Sequence, residues 1–126
     1  MNVLIVEDDL LTQTLLEKTM KRWKYNFDMA VNGIEAVAYA KKNKGKYNFC
    51  LMDIELPEMN GIEATKIIRE EVGYFPIVAL SANDAYKKQC FEVGMDAFFE
   101  KPCAPSVLLE KIQRMIIKSP PPSLMV

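Results

Sequence analysis

"LMDIELPEMNG", residues 51–61, decides how this chain folds. An apolar run leads straight into Asp53, Pro57 follows four positions later, and Asn60-Gly61 comes soon after. A carboxylate at the end of a buried strand is costly unless something pairs it. Asp53 therefore needs a partner or a reaction.

The same grammar recurs on both sides of this stretch. Upstream, "NVLIV" (2–6) reads as a strand buried on both faces, ended by acidic residues. From Leu11, the positions Leu15, Leu16, Met20 and Trp23 recur at helical spacing, with Glu17, Lys18, Lys21 and Arg22 on the other side. "YNFDMA" (25–30) alternates as a half-exposed strand, Asn32-Gly33 turns the chain, and "IEAVAYAKKN" reads as a second helix. "YNFCLM" (47–52) is the strand that reaches Asp53. Downstream, "IEATKIIREE" is helical, "IVAL" is a strand before Ser81, and a weaker helix covers 84–92 until Gly94 breaks it. "DAFF" (96–99) is a short strand, and "PSVLLEKIQRMII" a last helix with Leu108, Ile112, Met115 and Ile116 on one stripe. Residues 1–118 are read as one domain and "SPPPSLMV" (119–126) as a flexible tail or linker. Strands that alternate with helices imply parallel pairing through right-handed crossovers, hence a doubly wound α/β sheet with helices on both faces.

Composition bounds the function. The 126 residues are 50% apolar and 26% charged, enough for one real core, and the net charge of -1 gives no basic field for nucleic acid. Cys50, Cys90 and Cys103 form no C-x-x-C pair, so neither a disulfide framework nor a zinc site is indicated. The opening "MNVLIVEDD" is too short for a signal peptide, and no stretch approaches the ~20 apolar residues of a membrane span. A soluble cytoplasmic protein without membrane insertion or direct nucleic-acid binding is expected. The chain also contains no histidine, which excludes Ser-His-Asp and Cys-His catalysis within it.

In doubly wound sheets ligands bind outside the carboxyl ends of the strands. Those positions hold Glu7, Asp8 and Asp9, then Asp53, Ser81 and Lys101. Like charges a few ångströms apart repel by several kcal/mol at an effective dielectric of ~20; a divalent cation together with Lys101 would balance Glu7, Asp8 and Asp53. Hard oxygen donors favour Mg²⁺, which is commonly shared with phosphate oxygens. Asp53 can then act as a carboxylate nucleophile toward phosphorus, giving an acyl phosphate.

"LIVEDD", "LMDIELPEMNG", "ALSAN" and "FFEKP", in this order and spacing, resemble the receiver domain of two-component response regulators over residues 2 to about 118, and "VNGIEAV" is similar to its second loop and helix. The resemblance implies a flavodoxin-like (βα)5 fold with strand order 2-1-3-4-5. It implies Asp53 as phosphoacceptor, Mg²⁺ (with Mn²⁺ able to substitute) held by Asp8, Asp53 and the main-chain carbonyl of Glu55 with Glu7 assisting through water, and Ser81 and Lys101 on the phosphoryl group. Lys101-Pro102 is similar to the family's cis-proline. Phe98 stands where the family carries a switch aromatic, often Tyr, so switching here would rest on packing alone. Glu55 and Asn83, two residues past Asp53 and Ser81, would flank the phosphoryl group and set its lifetime. The implied donor is a phosphohistidine on a histidine kinase or histidine phosphotransfer domain, which a chain lacking histidine must find elsewhere. The implied output face is roughly residues 84–118, in a monomer or a phosphorylation-linked dimer, toward a partner the sequence does not name.

Blander readings stand beside these. Asp8 or Asp9 alone would be a helix N-cap, with Asp9 read as first-turn charge, Ser81 a cap, Lys101 a solvated lysine and Phe98 a core residue. As a class, a small Mg²⁺-dependent phosphatase with an aspartyl-phosphate intermediate competes, since Glu55 would supply its second acid. A receiver-like module that binds partners without phosphorylation is the third reading. The ordered set of motifs favours the switch.

Overall fold

The computed structural model describes residues 1–118; the stretch read as a tail, 119–126, lies outside them. Five strands, β1 (Asn2–Val6), β2 (Asn26–Ala30), β3 (Phe49–Asp53), β4 (Ile77–Ser81) and β5 (Ala97–Glu100), alternate with α1 (Leu10–Arg22), α2 (Gly33–Lys42), α3 (Gly61–Glu71), α4 (Lys87–Glu92) and α5 (Pro105–Lys118). All pairings are parallel, and the sheet order is β2-β1-β3-β4-β5. The doubly wound expectation and its strand order hold.

Strand alternation sorts the apolar residues into two cores, because successive side chains point to opposite faces. Val3, Ile5, Phe49, Leu51, Val78 and Leu80 pack with Leu16, Met20, Leu108 and Ile112 from α1 and α5. Leu4, Val6, Cys50, Met52, Ile77 and Ala79 pack with Ala36, Ala40, Ala64 and Ile68 from α2 and α3. β3 and β4 are buried at every position, as central strands covered on both faces must be. Among the described residues no helix is long and apolar enough to cross a membrane.

Boundary expectations need correction in four places. Asn32-Gly33, read as a turn, is a helix start, built like Asn60-Gly61: each Asn side chain caps its helix by accepting from the N–H three residues on, at 2.8 Å to Glu35 and 2.9 Å to Glu63. Tyr25 and Tyr47 stand before their strands, and Tyr47 donates its hydroxyl to Asp28 at 2.7 Å. The fourth helix is split into a 3₁₀ turn, Asp84–Tyr86, and the short α4. Asp96, counted as strand, lies outside β5: its carboxylate accepts from the Ile77 N–H at 2.8 Å and the Tyr74 hydroxyl at 2.7 Å.

Candidate functional site

The sheet order reverses between β1 and β3, which places the crevice for a ligand at their carboxyl ends. Glu7 follows β1, with its N–H bonded to Ala30 O at 3.0 Å; Asp53 and Ser81 are the last residues of β3 and β4; Lys101 follows β5, its N–H bonded to Ser81 O at 2.9 Å. One carboxylate oxygen each from Glu7, Asp8 and Asp53 lies within 4.8 Å of the others, Glu7 and Asp53 buried and Asp8 exposed. The Lys101 ammonium donates to Glu7 Oε2 at 2.9 Å and to Asp53 Oδ2 at 3.1 Å. The peptide bond Lys101-Pro102 is cis.

The bond to Glu7 is the shorter of the two, and sequence reasoning missed it. Glu7 is only 1% exposed. A buried carboxylate needs a counter-charge, and the acid pair "ED" beside one lysine was the available signal. Asp9 is the N-cap of α1, its Oδ2 accepting from the Thr12 N–H at 2.9 Å and the Thr12 hydroxyl at 2.7 Å, where first-turn charge was expected. These bonds hold the Asp9 carboxyl below its ordinary value.

Ser81 is buried, and its hydroxyl accepts from the Asn83 N–H at 3.0 Å and donates to Asn83 O at 3.2 Å. The Asn83 side chain turns away to cap the 3₁₀ turn through the Ala85 N–H, 3.0 Å. Asn83 and Glu55 are both exposed at the rim. Phe98 is half-buried and packs on the α2–α3 core, in the same cluster as Tyr86 and Val93. The structure thus brings Glu7, Asp8, Asp53 and Lys101 together, and leaves Ser81 engaged with its own loop.

Burial first, then the negative charge of Glu7, pushes the Asp53 carboxyl up to about 6 in spite of Lys101. Burial opposes the Lys101 charge, yet the hydrogen bond to Glu7 and the charges of Asp53 and Glu7 outweigh it and raise its pKa. A carboxyl raised in the folded state binds more protons there than in the unfolded chain between its ordinary value near 3.8 and about 6, so its contribution to stability falls as pH rises through that window. Asp53→Asn removes that cost. In EDTA, Asp53→Asn is expected to be more stable than wild type by about 1–2 kcal/mol at pH 8, after allowing for solvent screening, and no more stable near pH 4. Urea titrations of both proteins at the two pH values check this; a gain independent of pH would show that ionisation is not its source.

The chain matches the model of the response regulator receiver domain over residues 3–113. It is 39% identical to hybrid signal transduction histidine kinase B of Dictyostelium discoideum over 89% of this chain and 6% of that protein. It is 36% identical to two-component response regulator 24 of Arabidopsis thaliana, over 91% of this chain and 84% of that one. In solved structures it resembles the receiver domain of a sensor histidine kinase from Pseudomonas aeruginosa PAO1, described with a magnesium ion coordinated in the active site cleft, with TM-score 0.82, 34% identity and coverage of 91% of this chain and 96% of that one. It also resembles the receiver domain of Ssk1 from Saccharomyces cerevisiae, solved in complex with the histidine phosphotransfer protein Ypd1, with TM-score 0.80, 31% identity and coverage of 90% of this chain and 86% of that one.

Proposed function

The chain belongs to the response regulator receiver domain family, a phosphorelay receiver of two-component systems, and from that premise we propose that Asp53 is its phosphoacceptor and residues 1–118 its receiver unit. The observation that carries this is a buried carboxylate at the point where strand order reverses, 3.1 Å from Lys101 and within 4.8 Å of two further acids.

Three carboxylate donors and no softer ligand fit Mg²⁺, with Mn²⁺ able to replace it. Asp8 and Asp53 would hold it with the main-chain carbonyl of Glu55, Glu7 assisting through water. When bound, the ion supplies positive charge for the equatorial phosphoryl oxygens. Asp53 attacks phosphorus; the Asp53 O–P bond forms as the N–P bond of a phosphohistidine breaks, and the electron pair stays with the imidazole. Lys101, already shared between Asp53 and Glu7, meets the new charge on the phosphoryl group, and Ser81 exchanges its Asn83 contacts for a phosphoryl oxygen. Phe98 follows by packing, since it has no hydroxyl to re-pair. Glu55 and Asn83, exposed beside the site, tune the lifetime of the acyl phosphate.

The donor is another protein or domain, a histidine kinase or histidine phosphotransfer domain, because this chain has no histidine. Leu10, Leu11 and Leu15 on α1 are 75%, 70% and 47% exposed. Leu15 lines an open groove of about 400 Å³ that runs to Lys101 and Pro102, and these exposed leucines give an apolar surface suited to a protein donor. Three free thiols suit a reducing cytoplasm. The switch reading, as opposed to a phosphatase, is supported by family membership; multiple turnover of a generic phosphate ester would replace it.

Intact mass after incubation with acetyl phosphate tests the assignment. Wild type with Mg²⁺ is expected to gain one phosphoryl adduct, and Asp53→Asn, or wild type in EDTA, none. A folded wild type that never forms the adduct would favour a phosphorylation-independent binding module.

A further inference from the structure

Asp8 differs from the other two acids of the site. Glu7 is anchored on both carboxylate oxygens, by Lys101 at 2.9 Å and by the Asp9 N–H at 3.1 Å, and Asp53 is anchored by Lys101. None of these bonds ends on Asp8, which is exposed, so its direction is inherited from the backbone that carries it. That backbone is held from an unexpected place. The side-chain amide of Gln13, the fourth residue of α1 and six positions along the chain from Glu7, donates to the Glu7 carbonyl at 2.7 Å. This carbonyl belongs to the Glu7–Asp8 peptide, and a peptide unit is planar, so holding its oxygen fixes the orientation of the whole unit.

We infer that Gln13 is a positioning residue for the metal site: its amide holds the Glu7–Asp8 peptide and thereby aims the Asp8 carboxylate toward Asp53. Gln13 is half-buried, and its own N–H is already satisfied by Asp9 O at 2.9 Å, so the side chain is not needed to complete the helix. Immobilising a long amide costs rotamer entropy, a cost that goes unexplained on an ordinary half-exposed helix position. Groups that orient a metal's direct ligands typically change affinity ten- to a hundredfold when removed. Here the effect on one of three acids is indirect, through the peptide that carries it, so a loss at or below the lower end of that range is expected.

The inference rests on the Mg²⁺-binding reading above, and the experiment separates the two. Mg²⁺ affinity is measured by calorimetry at pH 8, where Asp53 is ionised, on wild type and Gln13→Met, with unfolding free energy in EDTA measured in parallel. Met keeps the length and helix propensity of Gln but donates no hydrogen bond. Gln13→Met is expected to bind Mg²⁺ roughly three- to tenfold more weakly with little change in EDTA stability. Wild type that does not bind Mg²⁺ overturns the metal reading and this inference with it. Wild type that binds, with Gln13→Met binding equally well, overturns the positioning role alone. A weaker affinity matched by an equivalent loss of EDTA stability makes Gln13 merely structural and overturns it too.

Discussion

Gly61→Ala is expected to destabilise the protein by about 3 kcal/mol and to weaken phosphorylation of Asp53 with it. Gly61 is the first residue of α3, and its N–H donates to Ile54 O at 2.9 Å. An ideal Cβ there would overlap the Asp53 carbonyl oxygen and lie 2.9 Å from Met52 Cγ and 3.1 Å from Ile54 Cα. Two of these three atoms are backbone of the strand end that carries Asp53, so a shift of the Met52 side chain alone cannot relieve the clash. Helix propensity favours Ala over Gly by up to about 1 kcal/mol, which opposes the clash but is smaller than overpacking against backbone. The substitution should therefore move α3 or the 54–60 loop, and with the loop the Glu55 carbonyl. Urea unfolding together with the yield of phosphoryl adduct measures both. A variant as stable as wild type would mean that the helix start can slide away from β3, and the packing account would fail.

Arg69→Met should cost a similar amount, about 2–3 kcal/mol, while leaving phosphorylation intact. The Arg69 side chain is 16% exposed and spans the opposite end of the sheet. It donates to Gly94 O at 3.0 Å, to Asp96 Oδ2 at 3.1 Å and to Gly73 O at 3.4 Å, and its guanidinium lies 4.8 Å from the centre of the Tyr74 ring. Met replaces the stem but leaves a partly buried carboxylate and two carbonyls short of donors. Asp96 keeps Tyr74 and the Ile77 N–H, which holds the loss below that of a fully abandoned charge. With urea m-values of ~1–3 kcal/mol/M, the midpoint should fall by about 1 M or more. A double-mutant cycle with Asp96→Asn isolates the pair; a coupling near zero would assign the loss to packing against Tyr74 and Phe75.

The sheet was legible because β-branched and apolar runs ending in polar residues recur at regular intervals, and Asp53, Ser81 and Lys101 could be gathered at one edge from topology alone. What sequence could not supply was pairing between side chains far apart in the chain. Lys101 to Glu7 spans 94 positions, and nothing local to "FFEKP" names that partner. Asn32-Gly33 misled for a different reason. The usual meaning of Asn-Gly is a turn with positive φ, yet Gly33, like Gly61, is present because a Cβ would strike a carbonyl, that of Met59 or Asp53, a fact about neighbours in space. Asp9 as cap and Gln13 as a tether were likewise hidden, since a short-range cap signal fits Asp8 and Asp9 equally and an amide on a helix reads as solvated surface.

The anchoring of α4 is lopsided. Its far end is pinned where Arg69 holds Gly94 and Asp96 holds the start of β4, and only Cys90 of the helix itself is buried. Its near end hangs on the 3₁₀ turn, whose cap Asn83 is fastened to the Ser81 hydroxyl by two bonds. Mechanically this is an arm with a fixed pivot and a latch. On the proposed chemistry, a phosphoryl oxygen that accepted the Ser81 hydroxyl proton would take it from Asn83 O while the Asn83 N–H could still donate to the hydroxyl, so one of the latch's two bonds would open at the sheet edge while the far end stays held to α3 by Arg69.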